Sequence, residues 1–231
     1  MPFLYFTGGV MSSTVLITGA NRGVGLALAK HYQQAGWEVI GVCRSTSEEL
    51  AETARQVIDN IDVTQSKDVA RLAEQLNGVS LDLLINNAGL LHDESLGSID
   101  FDSIREQMEV NAYAPLRVTE ALLPCLEEGA KIANITSRMG SMADNDSGGR
   151  YGYRASKAAL NAFGKSLAVD LAPEGIAVAQ LHPGYVKTRM VNFGGMITPE
   201  EAAAGIAERI ESLSLETTGG FWHSNGESLP W

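Results

Sequence analysis

Tyr153 and Lys157 stand four residues apart in the stretch Tyr153-Arg154-Ala155-Ser156-Lys157, inside a run patterned as a helix over Tyr151–Leu171. That spacing puts both side chains on one helix face, about 6 Å apart along the axis. An ammonium beside a phenol favours the phenolate and lowers the tyrosine pKa from its ordinary ~10. A tyrosine so tuned works as a general acid or base near neutral pH. Such a pair is common on helices, so its use depends on what the rest of the chain assembles around it.

The segment Thr18-Gly19-Ala20-Asn21-Arg22-Gly23-Val24-Gly25 is the second stretch with chemical potential. It follows a short apolar run, Val15-Leu16-Ile17, and opens a helical pattern over Gly25–Ala35. Glycines at a strand-to-helix turn let the backbone approach a pyrophosphate, and the helix N-terminus offers free N–H groups. The spacing G-x-x-x-G-x-G differs from the usual dinucleotide G-x-G-x-x-G, but the physics is shared. Cys43 and Arg44 end the next predicted strand, where an NAD-binding site places a carboxylate for the ribose 2′-OH. The planar fork of Arg44 suits a 2′-phosphate instead, and Arg22 adds a second positive charge.

These residues need elements to hold them. Apolar runs at Val15–Ile17, Glu38–Cys43, Val57–Val63, Leu81–Ile85, Lys131–Thr136, Ile176–Leu181 and Gly219–Trp222 read as strands. Helical patterns lie between them at Gly25–Ala35, Ser47–Gln56, Lys67–Asn77 (capped by Thr64), Asp102–Val110, Asn111–Glu127, Tyr151–Leu171 and Pro199–Ser212. Continuous apolar strands alternating with helices imply a parallel sheet covered on both faces. The expected fold is therefore α/β: one Rossmann-type doubly wound parallel sheet of about seven strands. Residues 13–231 form its single domain. Residues 1–12 are expected to be an appendage, with Met11 a plausible start.

Composition narrows the function classes. The chain has 231 residues, 45% hydrophobic, which suits one domain with a large core. A net charge of −11 disfavours nucleic-acid phosphates and anionic membranes. No run approaches the ~18 apolar residues of a membrane helix. Cys43 and Cys125 sit among apolar residues without paired spacing, which reads as buried thiols in a reducing, cytoplasmic setting. His31, His92, His182 and His223 are scattered, so no metal site is expected.

Taken in order, TGANRGVG (18–25), Asp62-Val63, Asn86-Asn87-Ala88-Gly89, Val110-Asn111, Ile135-Thr136-Ser137, Tyr153…Lys157 and Pro183-Gly184 resemble the short-chain dehydrogenase/reductase family. The likeness runs from about Ser13 to the C-terminus and is strongest to its compact C-factor and carbonyl-reductase-like branch. The resemblance implies Asn111, Ser137, Tyr153 and Lys157 as the catalytic set. Tyr153 would give a proton to the substrate oxygen as hydride arrives, Ser137 would hydrogen-bond that oxygen, Lys157 would bind the nicotinamide ribose, and Asn111 would hold a relay water. It also implies a cofactor site of Gly19, Asn21, Arg22, Gly23, Val24, Gly25, Arg44, Asp62, Val63, Asn87, Ala88, Gly89, Tyr153, Lys157, Pro183, Gly184, Val186 and Thr188.

The expectation is an NADP(H)-dependent enzyme, preferring NADP(H) over NAD(H), acting on a small carbonyl or alcohol and assembling as a homodimer or homotetramer. Two rivals share the fold: a dinucleotide-binding signalling protein of little turnover, and a 3-oxoacyl-carrier-protein reductase. The acidic helix with Glu200, Glu201, Glu208 and Glu211 speaks against an acidic carrier. The polar loop Asp144–Arg150 lengthens the interval between Ser137 and Tyr153. Met139, Met142, Tyr185, Met190 and Phe193 are expected to line an open pocket.

Overall fold

The computed structural model describes residues 12–231, so the expected appendage lies almost wholly outside the described residues. Seven strands form one sheet among them: β1 (Thr14–Thr18), β2 (Glu38–Val42), β3 (Gln56–Ile58), β4 (Leu81–Asn86), β5 (Leu126–Ile135), β6 (Ala177–His182) and β7 (Phe221–His223). Their order is β3-β2-β1-β4-β5-β6-β7, and every neighbouring pair is parallel. The helices are α1 (Gly23–Gln34), α2 (Glu48–Thr53), α3 (Ser66–Gln75), α4 (Phe101–Met108), α5 (Ala114–Leu122), α6 (Tyr151–Leu171) and α7 (Pro199–Glu211).

β1 explains why the apolar runs are unbroken. Val15, Leu16 and Ile17 are all fully buried, but they face opposite ways. Val15 and Ile17 belong to a core that also holds Leu28 of α1 and Ile206 of α7. Leu16 belongs to the other core, with Leu72 of α3, Val118 of α5 and Leu171 of α6. A strand wetted on one face would alternate; one covered on both does not. Each such side chain contributes roughly 1.5–3 kcal/mol by leaving water.

The chain runs outward from β1 to β3, then returns to the opposite side of β1 to lay down β4. At that reversal the C-terminal ends of β1 and β4 part, which is where such sheets bind ligands.

Four expected boundaries moved. β3 ends at Ile58 rather than Val63, because Asn60 turns the chain with a φ of +55°. Thr64 does not cap α3: its N–H and hydroxyl both bond Asp62 Oδ1, at 3.0 and 2.7 Å, and Gln65 takes the N-cap position. Between α4 and α5 lies a π-helical turn, Glu109–Tyr113. β5 begins at Leu126, before the expected Lys131, since a register shift lets Leu126 reach Leu81.

Candidate active site

The glycine turn is stitched to the end of β4. The Thr18 hydroxyl accepts the N–H of Asn87 (3.0 Å) and of Ala88 (3.1 Å). The Asn87 amide donates to the carbonyls of Thr18 (2.9 Å) and Gly19 (3.2 Å). Gly19 and Gly23 take φ of +65° and +55°, a region that disfavours side chains. A Cβ at Gly25 would collide with the Gly19 carbonyl and the Asn87 amide. Arg22 stands at the N-cap of α1 without a capping side-chain bond, so no side chain claims the first-turn N–H groups there. The turn is thus a backbone cradle that a Cβ would fill. Val24 packs into the core behind it. Thr188, from the loop after β6, faces it, with its Cγ2 3.4 Å from where a Gly23 Cβ would sit.

Asn21 donates to the Ser45 carbonyl at 2.8 Å and so binds the turn to the end of β2. Arg22 and Arg44 are exposed there, and neither is ion-paired among the described residues. Burial alone would raise the Asp62 pKa, yet bonds from Thr64 and the charge of Arg44 bring it below the ordinary value. Val63 and Ala88 line one narrow crevice with Thr18 and Val110. The residues expected at the adenosine end therefore gather at the ends of β1, β2, β3 and β4.

The other group gathers around α6. Gly140 presses the short turn after β5 against the α6 backbone, where a Cβ would lie 2.7 Å from the Lys157 carbonyl carbon. That close approach brings the Ser137 hydroxyl near enough to Tyr153 to influence its phenol. Ser137 Oγ also accepts the Met139 N–H at 3.1 Å. Tyr153 is 8% exposed and Lys157 4%. Lys157 Nζ donates to the Ile135 carbonyl at 2.9 Å and has no carboxylate partner among the described residues. An ammonium has three donors, so two are unspent.

Burial pushes the Lys157 pKa down to about 7. It pushes the Tyr153 phenol up, offset in part by the nearby Ser137 hydroxyl and the charge of Arg150. The cation expected to lower the Tyr153 pKa was Lys157; in this geometry it is Arg150. Lys157 Nζ stands 5.9 Å from the phenol ring centre, and desolvation weakens its charge.

Asn111 lies in the π-helical turn and is fully buried. Its amide donates to the Leu90 carbonyl (2.8 Å) and Ser156 Oγ (3.0 Å), and its Oδ1 accepts the Leu90 N–H (2.9 Å). Widened turns of this kind are frequent at functional sites. Gly89 sits between the two groups: a Cβ there would be 3.1 Å from Asn111 Oδ1 and 3.7 Å from Lys157 Nζ. After β6, Pro183, Gly184 (φ +91°) and Val186 carry the chain back over the cleft, where Val186 bridges Ile197.

A cavity of about 480 Å³ opens between the loop at 93–95 and the loop at 147–150 that leads into α6; neither Ser137 nor Tyr153 lines it. Met139 lines it as expected, whereas Met142, Tyr185, Met190 and Phe193 are exposed and outside its wall. Its other walls come from residues sequence reasoning passed over: Asp93, Glu94, Arg150 and Arg154. The adjacent Gly148-Gly149 was the available signal. Both glycines and Arg150 have positive φ, a left-handed run that turns the chain into α6. Both cysteines are free, and burial raises their pKa values. Among the described residues no helix is long and apolar enough to cross a membrane.

The family model for short chain dehydrogenases matches residues 13–194. The chain is 43% identical over 225 residues to 1-hydroxy-2-glutathionyl-2-methyl-3-butene dehydrogenase of Rhodococcus sp. (strain AD45), covering 95% of this chain and 100% of that one. It is 42% identical over 154 residues to the C-signal protein of Myxococcus xanthus, covering 65% of this chain and 93% of that one. Among solved structures it resembles the NADPH-bound carbonyl reductase from chicken fatty liver, with a TM-score of 0.86 and 30% identity over 95% of this chain and 99% of that one.

Proposed function

The chain belongs to the short-chain dehydrogenase family, and from that premise we propose that it is an NADP(H)-dependent carbonyl reductase or alcohol dehydrogenase with Tyr153 as acid/base. The observation that carries this is the gathering of Ser137, Tyr153 and Lys157, all buried, with a single hydrogen bond on the lysine among the described residues. A buried ammonium without a carboxylate is costly unless something polar meets it. The hydroxyls of a nicotinamide ribose fit that need, and the glycine cradle at α1 fits a pyrophosphate. When bound, the dinucleotide supplies or accepts hydride.

The protein's own residues do the rest. Ser137 donates to the substrate oxygen and holds it against Tyr153. Tyr153 gives its proton to that oxygen as negative charge develops, a positioned donor being worth roughly 10²–10⁴-fold. Arg150 favours the resulting phenolate. Lys157 positions the ribose and Asn111 holds the α4–α5 turn against Leu90 and Ser156. In the oxidising direction the same groups act in reverse, with Tyr153 as base.

NADP(H) is favoured over NAD(H) because Arg44 and Arg22 are unpaired where the second ribose would lie, and no carboxylate ends β2. A screen of NADPH and NADH oxidation against aldehydes, ketones and diketones tests the proposal; no turnover with any of them would sink it. The likeness to C-signal supports a second reading, a signalling protein of little turnover. That reading expects tight dinucleotide binding with no carbonyl reduction in the same screen. Action on a small molecule by a homodimer or homotetramer in the cytoplasm completes the proposal.

A further inference from the structure

Ser137 stands just past the end of β5, at the head of a turn. A hydroxyl that must meet a reacting oxygen needs that turn held still, since a misplacement of about 1 Å can cost roughly 10²-fold in rate. On one side Gly140 lies against the α6 backbone. Within the turn the Gly140 N–H bonds the Ser137 carbonyl at 2.8 Å, and the Ser141 N–H bonds that of Arg138 at 3.0 Å. The far side is met by the segment that follows β7.

That segment runs back along β7. The His223 N–H donates to the Glu227 carbonyl (2.8 Å) and the Leu229 N–H to the Phe221 carbonyl (2.9 Å), around an antiparallel bridge between Trp222 and Ser228. Leu229 is buried, and the Trp231 indole stacks on the buried Phe221 with ring centres 5.3 Å apart. The Trp231 carbonyl then accepts three donors from the turn: the Ser141 hydroxyl at 3.0 Å and the N–H groups of Met142 at 3.1 Å and Ala143 at 3.0 Å. A carbonyl oxygen has two lone pairs, so these donors saturate it. Ser141 is buried, and its oxygen accepts the Asp144 N–H at 3.1 Å. Asp144 in turn pairs with Arg138, the neighbour of Ser137, at 2.7 Å, and Arg138 reaches Glu227 at 4.0 Å.

Trp231 is itself 43% exposed, so its ring adds little to the core. Its polar contacts all fall on the one turn that carries Ser137. We propose that Trp231 is a positioning residue: seated on Phe221, it fixes the turn through Ser141, Met142 and Ala143 and so sets where Ser137 meets the substrate oxygen. This rests on the oxidoreductase reading of Ser137 and Tyr153. None of these contacts involves the glycine cradle after β1, so the effect falls on turnover and spares cofactor affinity.

The test is steady-state reduction by the full chain of the best carbonyl found in the screen, with NADPH affinity and melting temperature measured alongside. Trp231→Ala should lower kcat about tenfold and leave the NADPH dissociation constant within about twofold. Trp231→Phe, which can still stack on Phe221, should recover most of the turnover. Ser141→Ala removes one donor to the same carbonyl and should also lower kcat. Combined with Trp231→Ala it should add little to the larger single effect, because both changes loosen one contact. Wild-type kcat in Trp231→Ala and in Ser141→Ala would overturn the proposal and leave the reductase reading standing. So would additive losses, an equal loss of NADPH affinity, or a loss that Trp231→Phe does not recover. If Trp231→Ala does not fold, Ser141→Ala decides: wild-type kcat there overturns the proposal. No turnover by the wild type with any carbonyl would overturn both readings.

Discussion

Strand β5 and helix α6 share two buried polar groups that are put to opposite uses. In mid-sheet, Asn86, Asn134 and Gln180 are direct register partners across β4, β5 and β6. Their amides form a ladder: Asn86 donates to Asn134 at 3.0 Å, and Asn134 to Gln180 at 2.9 Å. Asn86 also donates to Thr119, and only Asn86 Oδ1 and Gln180 Nε2 remain as open ends. Three residues after Asn134, just past the end of β5, comes Ser137, near Tyr153 and the lysine with one bond. The ladder is neutral and spends its bonds from strand to strand, so it serves register. The site is charged and left open, so it can grip a ligand, and it weakens the empty fold.

Breaking the ladder should have the largest effect on stability. A methyl at Gly164 would overlap the Gln180 side-chain oxygen and approach Asn134 Nδ2 to 2.9 Å. Gly164→Ala should cost about 3 kcal/mol. Urea unfolding measures it; an unchanged midpoint would mean that α6 is not seated on the ladder.

Breaking the open group should spare the fold. Tyr153→Phe should lower turnover by roughly 10²-fold or more while thermal stability and cofactor binding stay close to wild type. Substantial reductase activity in a clean preparation would remove Tyr153 from its role.

Lys157→Met sharpens the contrast, because it should abolish activity and raise stability together, by about 1–2 kcal/mol. The gain has a pH signature. The folded Lys157 pKa, about 7, lies below the unfolded value near 10.5. Below pH 7 the lysine is charged in both states and the folded state bears the full cost of burial. As pH rises from 7 to 10.5 the unfolded chain holds more protons, so wild-type stability increases and the advantage of Met shrinks. Thermal scans of both proteins across that window would show it; a constant difference would contradict the assignment.

The smallest effect belongs to the rim. Wild type should bind NADPH at least about tenfold more tightly than NADH, as one charge-assisted contact implies. Cys43→Asp with Arg44→Gln should erase or reverse that. Fluorescence titration decides it, and equal wild-type affinities would mean that Arg44 does not face the 2′-phosphate.

The sheet was legible because burial on both faces leaves uninterrupted apolar runs such as Val15-Leu16-Ile17. Ser137, Tyr153 and the glycine turn could be singled out because the family resemblance rests on residue type and order, and the fold brings Ser137 and Tyr153 near each other. The π-helical turn was not: it comes from Asn111 bonding Leu90 across a gap of 21 residues, which leaves no local pattern. The cavity wall was hidden for the same reason. Asp93 and Arg150 are far apart in sequence and meet only when the strand-end loops converge. Tyr185, Met190 and Phe193 sit exposed on the loop after β6, an exposure that their apolar character alone does not announce.

The packing of α1 against α7 bears on how the protein comes to be made. Leu28 and Ala29, near the start of the chain, are buried with Ala203, Ile206 and Ile210, near its end. During synthesis α1 therefore emerges long before its cover, and β1 waits for β4 on its open side. At ~5–20 residues per second, the ribosome leaves an apolar helix face and a strand edge bare for roughly ten seconds or longer. The nascent chain is a natural client for chaperones during that interval. A fragment that stops before α7 should be recovered as aggregate, since the face of the first helix that α7 covers would stay bare.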